Sequence, residues 1–157
     1  MASGVTSQKL FSRNAVITYD HDPDTTAAII TTPDAGTTKR YLALENYENF
    51  AGLAMLTVSG SSSGMTLVDI VAAESATGTN VTTVVSSGAV LADAVGDFVK
   101  VECTAAQVKE VGDAGGFTFT HVGVRITCSN TGDEAAVTYW RANPKFATKD
   151  LTANAIS

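Results

Sequence analysis

The chain has 157 residues, a formal net charge of −6 at pH 7 and two cysteines. At this length one domain buries roughly 68–70% of its unfolded surface, so a core forms without metal or cross-links, and two cysteines do not make a disulfide scaffold. The acidic balance and the lack of any basic run argue against nucleic acid as a partner, because phosphate binding rests on Lys and Arg; no apolar run reaches the ~18 residues that a membrane span needs.

Charged residues make up 17% of the chain, below the ~25% typical of soluble domains. Thr, Ala, Val, Ser and Gly fill the gap. Such a composition suits a β-protein whose surface is partly covered by neighbours, and equally an ordinary secreted β-domain. Residues 1–14, MASGVTSQKLFSRN, have no apolar core of the kind a signal peptide carries, so no export signal is expected. They show no strand or helix period either. They read as a frayed terminus or as an extended arm that docks Leu10 and Phe11 on the body or on a neighbouring subunit.

Residues 15–157 read as one β-domain with a polar C-terminal tail. Ala15–Tyr19 is the first expected strand, stopped by Asp20-His21-Asp22-Pro23-Asp24, since Pro cannot donate to a ladder and Asp favours turns. Thr25–Thr32 is the second, followed by a turn through Pro33 and Gly36. Arg40–Glu45 is the third. Asn46–Ala51 is ambiguous, because Tyr47 and Phe50 at i and i+3 also fit a helical turn. Leu53–Ser59, Met65–Ala73 and Asn80–Ser86 alternate with period two and are the fourth, fifth and sixth. Gly60–Gly64 is a flexible loop between strands. Ser87–Gly96 is weakly patterned and compatible with a short helix.

Phe98–Cys103 is the seventh strand, with Val99, Val101 and Cys103 on one face and Phe98, Lys100 and Glu102 on the other. Thr104-Ala105-Ala106-Gln107 then matches a capping box, in which the Thr and Gln side chains satisfy the first free N–H groups of a helix. Val108 and Val111 give that helix an apolar strip over one or two turns, and Gly112–Gly116 is expected to end it. The stretch Phe117–Arg141 contains the densest run of β-forming residues and the one Trp. Val122, Val124, Ile126 and Cys128 point one way, Phe119, His121 and Arg125 the other. After Ser-Asn-Thr-Gly-Asp, Ala136, Thr138 and Trp140 alternate with Val137, Tyr139 and Arg141. The expectation is a long β-hairpin forming the central pair of one antiparallel sheet. Eight or nine short strands with frequent turns predict an all-β fold, an antiparallel β-sandwich or jelly-roll-like domain with one short helix.

Few residues point to chemistry. Asp20–Asp24 is the best metal candidate, since alternate carboxylates can present oxygens to Ca²⁺, but it lacks the later Gly and Glu of an EF-hand and reads more simply as an acidic turn. His21 and His121 are the two histidines; neither comes with a Gly-x-Ser-x-Gly elbow or a visible triad partner. Cys103 and Cys128 share faces with Val and Ile, and read as small buried hydrophobes or as a disulfide between neighbouring strands. Gly112–Gly116 lacks the Lys-Ser/Thr of a phosphate loop. Tyr139, Trp140 and Arg141 form a candidate interaction cluster, since aromatics and Arg dominate hot spots; a core Trp and a carbohydrate-stacking platform are the other readings. No catalytic, metal or cofactor site is expected. The candidate interface set is Leu10, Phe11, Tyr139, Trp140 and Arg141.

The arm MASGVTSQKLFSRN, the stretch MTLVDIVAAESATGTNVTTVV and the closing VGVRITCSNTGDEAAVTYWRANPKF together resemble virion proteins of tailed bacteriophages, of the capsid decoration (cement) type. The resemblance spans most of the chain and is one of overall texture. It implies a β-sandwich or jelly-roll-like structural protein of the virion surface, without catalysis, that binds the major capsid protein as a homo-oligomer and reinforces the shell. The alternative is a ligand-binding β-sandwich, such as a fibre or lectin-like receptor-binding module.

Overall fold

In a computed structural model of the chain, the described residues are 15–21, 29–31, 34–35, 38–39, 41–44, 47–60, 64–90, 92–130 and 132–144. They form strands β1 (Ala15–His21), β2 (Ile29–Thr31), β3 (Asp34–Ala35), β4 (Thr38–Lys39), β5 (Leu42–Ala43), β6 (Tyr47–Val58), β7 (Met65–Ala73), β8 (Thr82–Ser86), β9 (Phe98–Thr104), β10 (His121–Cys128) and β11 (Glu134–Pro144), with helix α1 (Ala105–Gly115) between β9 and β10. Every strand pairing is antiparallel. The first sheet runs β1-β11-β6-β9 and the second β2-β10-β7-β8, with β5 also on β10 and β3–β4 a separate small hairpin. The fold is the expected all-β sandwich. Setting β3, β4 and β5 aside, the eight remaining strands lie in the orders first-eighth-third-sixth and second-seventh-fourth-fifth. Every connection between them changes sheet except the β7–β8 hairpin, a jelly-roll-like wrapping.

The core lies between the sheets and is built from one face of each strand. Phe50, Ala54 and Leu56 of β6, Val101 and Cys103 of β9, and Ala135, Val137 and Tyr139 of β11 meet Val68, Ile70 and Ala72 of β7 and Val122, Val124, Ile126 and Cys128 of β10. This is the period-two reading carried into three dimensions: alternate residues point to opposite faces, and the apolar set turns inward. The Phe50 and Tyr139 rings sit 5.8 Å apart at 45°, within the favoured range for tilted aromatic pairs. Gly52 lies at a close approach of the sheets, since a Cβ there would lie 2.4 Å from Val124 Cγ2.

Two expectations, on the β10–β11 hairpin and on the length of the helix, need correction, and two open readings, at 46–51 and 87–96, are decided. First, β10 and β11 do not pair. Each is a central strand, but of opposite sheets. The five residues 129–133 cross the gap between layers, which is about 10 Å, well within a five-residue reach of roughly 16 Å. Asp133, with no exposed surface, pins the crossing: its carboxylate accepts the Gly60 N–H at 2.8 Å and the Asn130 N–H at 3.1 Å. Period two reports which face of a strand is buried and not which strand lies beside it.

Second, residues 47–50 are extended and open the 12-residue strand β6, because Phe50 is needed in the core and a helical turn there would break its pairing with Cys103 and Arg141. Third, the stretch 87–96 is not helical among its described residues. Met65 and Ala92 exchange backbone hydrogen bonds at 3.0 and 3.2 Å, and Gly64 is the residue that admits this contact, because a Cβ there would lie 2.0 Å from the Ala92 carbonyl oxygen. Fourth, α1 is longer than expected and runs through Gly112 to its left-handed cap at Gly116, φ 73°. Gly112 is a packing position rather than a stop: the chain doubles back, Phe117 N–H donates to Gly112 O at 2.9 Å, and a Cβ at 112 would meet Phe117 O at 2.7 Å. The start of α1 is as expected, with Gln107 N–H donating to Thr104 Oγ1 at 3.2 Å and Thr104 N–H donating to Gln107 Oε1 at 2.9 Å.

Candidate interaction face

A two-sheet sandwich has two outer faces, and here they differ. On β7 of the second sheet the outward residues Asp69, Val71 and Ala73 are all buried. Tyr41 packs with Val71 and Ala73 in a cluster of its own. It is held there by its N–H, which donates to Ala76 O at 2.8 Å, and by Gly78, whose lack of a side chain leaves room for the ring. Beside this cluster Asp69, 2% exposed, faces Arg125 across the β7–β10 ladder. Arg125 donates through Nε and Nη2 to Asp69 Oδ2 and through Nη2 to Thr83 Oγ1. One oxygen of that buried carboxylate, Oδ1, has no hydrogen-bond partner. Along β7 the second sheet is therefore covered on both sides.

Among the described residues, the outer side of the first sheet is the less covered one. Its outward positions alternate with the core set: Asn49, Ala51, Leu53 and Met55 on β6, Phe98, Lys100 and Glu102 on β9, and Ala136, Thr138, Trp140 and Ala142 on β11. Register places Met55 opposite Phe98, and Leu53 opposite both Lys100 and Thr138. Phe98 is 59% and Met55 41% exposed. Large side chains left in water on adjacent strands, on a face that also carries Leu53, form an exposed apolar patch of the kind that marks interaction sites. The Lys100 ammonium lies 6.0 Å from the Phe98 ring centroid and borders the patch. Toward the other end of the same face, Trp140, Ala51 and Glu102 share one cross-strand row, and Ala142, Asn49 and Thr104 the next.

The residues singled out from the sequence do not converge. Tyr139 is 1% exposed and belongs to the core, so it leaves the candidate interface set. Trp140 points outward and is half-buried. Arg141 lies over the Tyr47 ring at 4.9 Å and donates from Nη1 to Ala43 O at 2.9 Å, which ties β11 to β5. Leu10 and Phe11 lie outside the described residues. Asp20 and His21 are the last residues of β1, paired with Ala136 and Ala135, rather than the opening of a turn; Asp22–Asp24 lie outside the described residues. His121 begins β10 in the other sheet, with Nδ1 2.8 Å from the Thr120 hydroxyl.

Both cysteines are free and buried. They stand on different sheets, Cys103 on β9 and Cys128 on β10. Burial pushes the Cys103 thiol up to about 12; burial, with the Asp133 charge beside it, pushes Cys128 up to about 11. Thiols held neutral in this way pack as small hydrophobes. Among the described residues no group of three or more His, Cys, Asp and Glu is placed to hold a metal ion, and no helix is long and apolar enough to cross a membrane.

No family model matches the chain, and no curated protein matches it. Among solved structures it is similar to the infectious bursal disease virus VP2 subviral particle, at a TM-score of 0.42 and 11% identity over 85% of this chain. The chain spans about a third of that one, 33% of its length.

Sequence reasoning missed Met55 and Phe98. The signal was present: Leu53 and Met55 alternate with Ala54 and Leu56, so β6 is apolar on both faces. A strand of that kind has a second surface to cover after the core is made.

Proposed function

We propose that this protein is a structural component of a virion that attaches to the outside of a capsid shell, as a decoration or cement protein, and acts by binding rather than catalysis. The observation that carries the reading is the asymmetry of the two outer faces. One is covered along β7 by the chain's own Tyr41 and the Asp69–Arg125 pair, whereas the other leaves Met55 and Phe98 in water. Surface of that kind suits docking on another protein. The jelly-roll-like wrapping supports the reading only as a fold that also serves viral capsid and lectin domains. The resemblance of the chain to phage decoration proteins points to the shell, and hence to the major capsid protein, as the partner.

Geometry suits the expected arm as well. Residues 1–14 lead directly into Ala15, which pairs with Arg141 at the edge of the first sheet. An arm that orders on binding loses roughly 1–2 kcal/mol of backbone entropy per residue, so Leu10 and Phe11 serve as its anchors. Assembly into a homo-oligomer lets weak contacts act together, with avidity gains of about 10²–10⁴-fold.

The test is attachment to capsid particles, measured by co-sedimentation of purified protein with undecorated shells. Met55→Lys/Phe98→Glu replaces the apolar cross-strand pair by an oppositely charged one, which the β6–β9 ladder tolerates. Expected is a folded protein whose attachment falls at least tenfold; deletion of residues 1–11 is expected to weaken attachment as well. Attachment of the double variant at the parent level would overturn the role of this face, and a parent protein that binds no shell would overturn the reading itself.

A further inference from the structure

On the α1 side of the open face, away from Met55 and Phe98, lies a depression of about 500 Å³ lined by Asn49, Ala51, Glu102, Gln107, Trp140 and Ala142, among others. Its volume lies in the range of small-ligand sites, ≈ 300–1,000 Å³. We propose that this depression is a binding site for a neutral carbohydrate, stacked on the Trp140 indole and hydrogen-bonded by Asn49, Glu102 and Gln107.

The register builds the floor. Trp140, Ala51 and Glu102 lie side by side on β11, β6 and β9, and Ala142 and Asn49 in the next row. Ala51, between the indole and the carboxylate, is the small residue that leaves the space between them. An indole fixed by its strand and half-buried offers a rigid apolar plate at low entropic cost, and the C–H face of a pyranose ring is an apolar surface to match.

The polar rim is the other half of the argument. Gln107 reaches the depression from the first turn of α1, and its Oε1 already accepts from the Thr104 N–H at 2.9 Å and lies 3.2 Å from the Thr104 hydroxyl. The capping box thus spends the oxygen and leaves the amide N–H₂ for a ligand, on a side chain whose rotamer is already fixed. Glu102 supplies acceptors, and Asn49 both a donor and an acceptor. Adjacent hydroxyl groups, each donor and acceptor, pair with this mixture. Among the described residues no Lys or Arg lines the depression, and a carboxylate stands in it, so a phosphate, sulfate or uronate is disfavoured by charge. Hydroxyl-rich and uncharged is the class that remains.

Trp140 is the one tryptophan of the chain, so its fluorescence reports on this site alone. The full-length protein is applied to an array of neutral and anionic oligosaccharides. Binding is then titrated by intrinsic fluorescence with cello-, manno-, galacto- and chito-oligosaccharides. Expected is saturable binding of at least one neutral series, with a change in Trp emission in the parent, and affinity at least tenfold lower in Trp140→Ala when both proteins are titrated by isothermal calorimetry, since that variant has no Trp to report. Gln107→Glu is the control for folding: a Glu side chain still accepts from the Thr104 N–H and keeps the cap, but cannot donate to a sugar. It is expected to retain the parent melting temperature and to bind at least threefold more weakly. Met55→Lys/Phe98→Glu should bind saccharide as the parent does, which separates this site from shell attachment. Absence of any neutral binder at millimolar concentration, a preference for anionic glycans, or parent-level binding by both Trp140→Ala and Gln107→Glu would overturn the proposal.

Discussion

The outer faces of the two sheets obey the same alternation and end in opposite states. On β7 the outward Asp69, Val71 and Ala73 are as buried as the inward Val68, Ile70 and Ala72. On β6 and β9 the outward Met55 and Phe98 remain in water while Ala54, Leu56, Val101 and Cys103 are sealed. The difference lies in what the chain brings to each face. The excursion between β2 and β6 returns Tyr41 over the second sheet, and Arg125 folds onto Asp69. Apolar character on both faces of a strand therefore announces two covers; for the first sheet no described residue closes over Met55 and Phe98, and the proposed function assigns that cover to a partner.

Breaking the closed face should have the largest effect on stability. Arg125→Ala leaves Asp69 as a buried carboxylate without its cation, and loss of one partner of such a pair costs about 3 kcal/mol or more. In a chain of this size that lowers the melting temperature by roughly 6–12 °C. Thermal unfolding followed by circular dichroism checks it. A shift below about 2 °C would mean that Asp69 is solvated and the face is not closed.

The contact between the layers comes next. Gly52→Ala forces a methyl group against Val124 Cγ2, a branched side chain held by its own neighbours, and overpacking of this kind costs about 1–3 kcal/mol. Urea unfolding should show a lower midpoint at unchanged slope. A companion Val124→Ala substitution makes room for the methyl group, so the two changes should be less than additive.

Smallest is the expected change in stability at the open face. Met55→Lys/Phe98→Glu removes side chains already largely in water, and the midpoint should move by no more than about 1 kcal/mol, against the tenfold loss expected in attachment. A stability loss as large as that of Arg125→Ala would show that the patch is structural, and the contrast between the two faces would disappear.

The sequence by itself determined the class of fold, the inward set and the helix start. Val122, Val124, Ile126 and Cys128, and Val137 and Tyr139, face the core because strand geometry sends alternate residues to opposite sides whatever lies next to them. Thr104 and Gln107 cap α1 because the capping box is made within four residues. Strand partnership was not legible. The β10–β11 segment has the pattern of a hairpin, but Asp133 and Gly60, 73 residues apart, send its halves to different sheets. The length of α1 was hidden in the same way, since Gly112 is chosen for the passage of Phe117 and not for its own backbone. Tyr139 and Trp140 are neighbours with opposite fates, core and surface, and composition gives no sign of which is which. Local spacing encodes the direction of each side chain. Only the tertiary structure, through contacts between residues far apart in the chain, decides which outward face is covered and which is left for something else to cover.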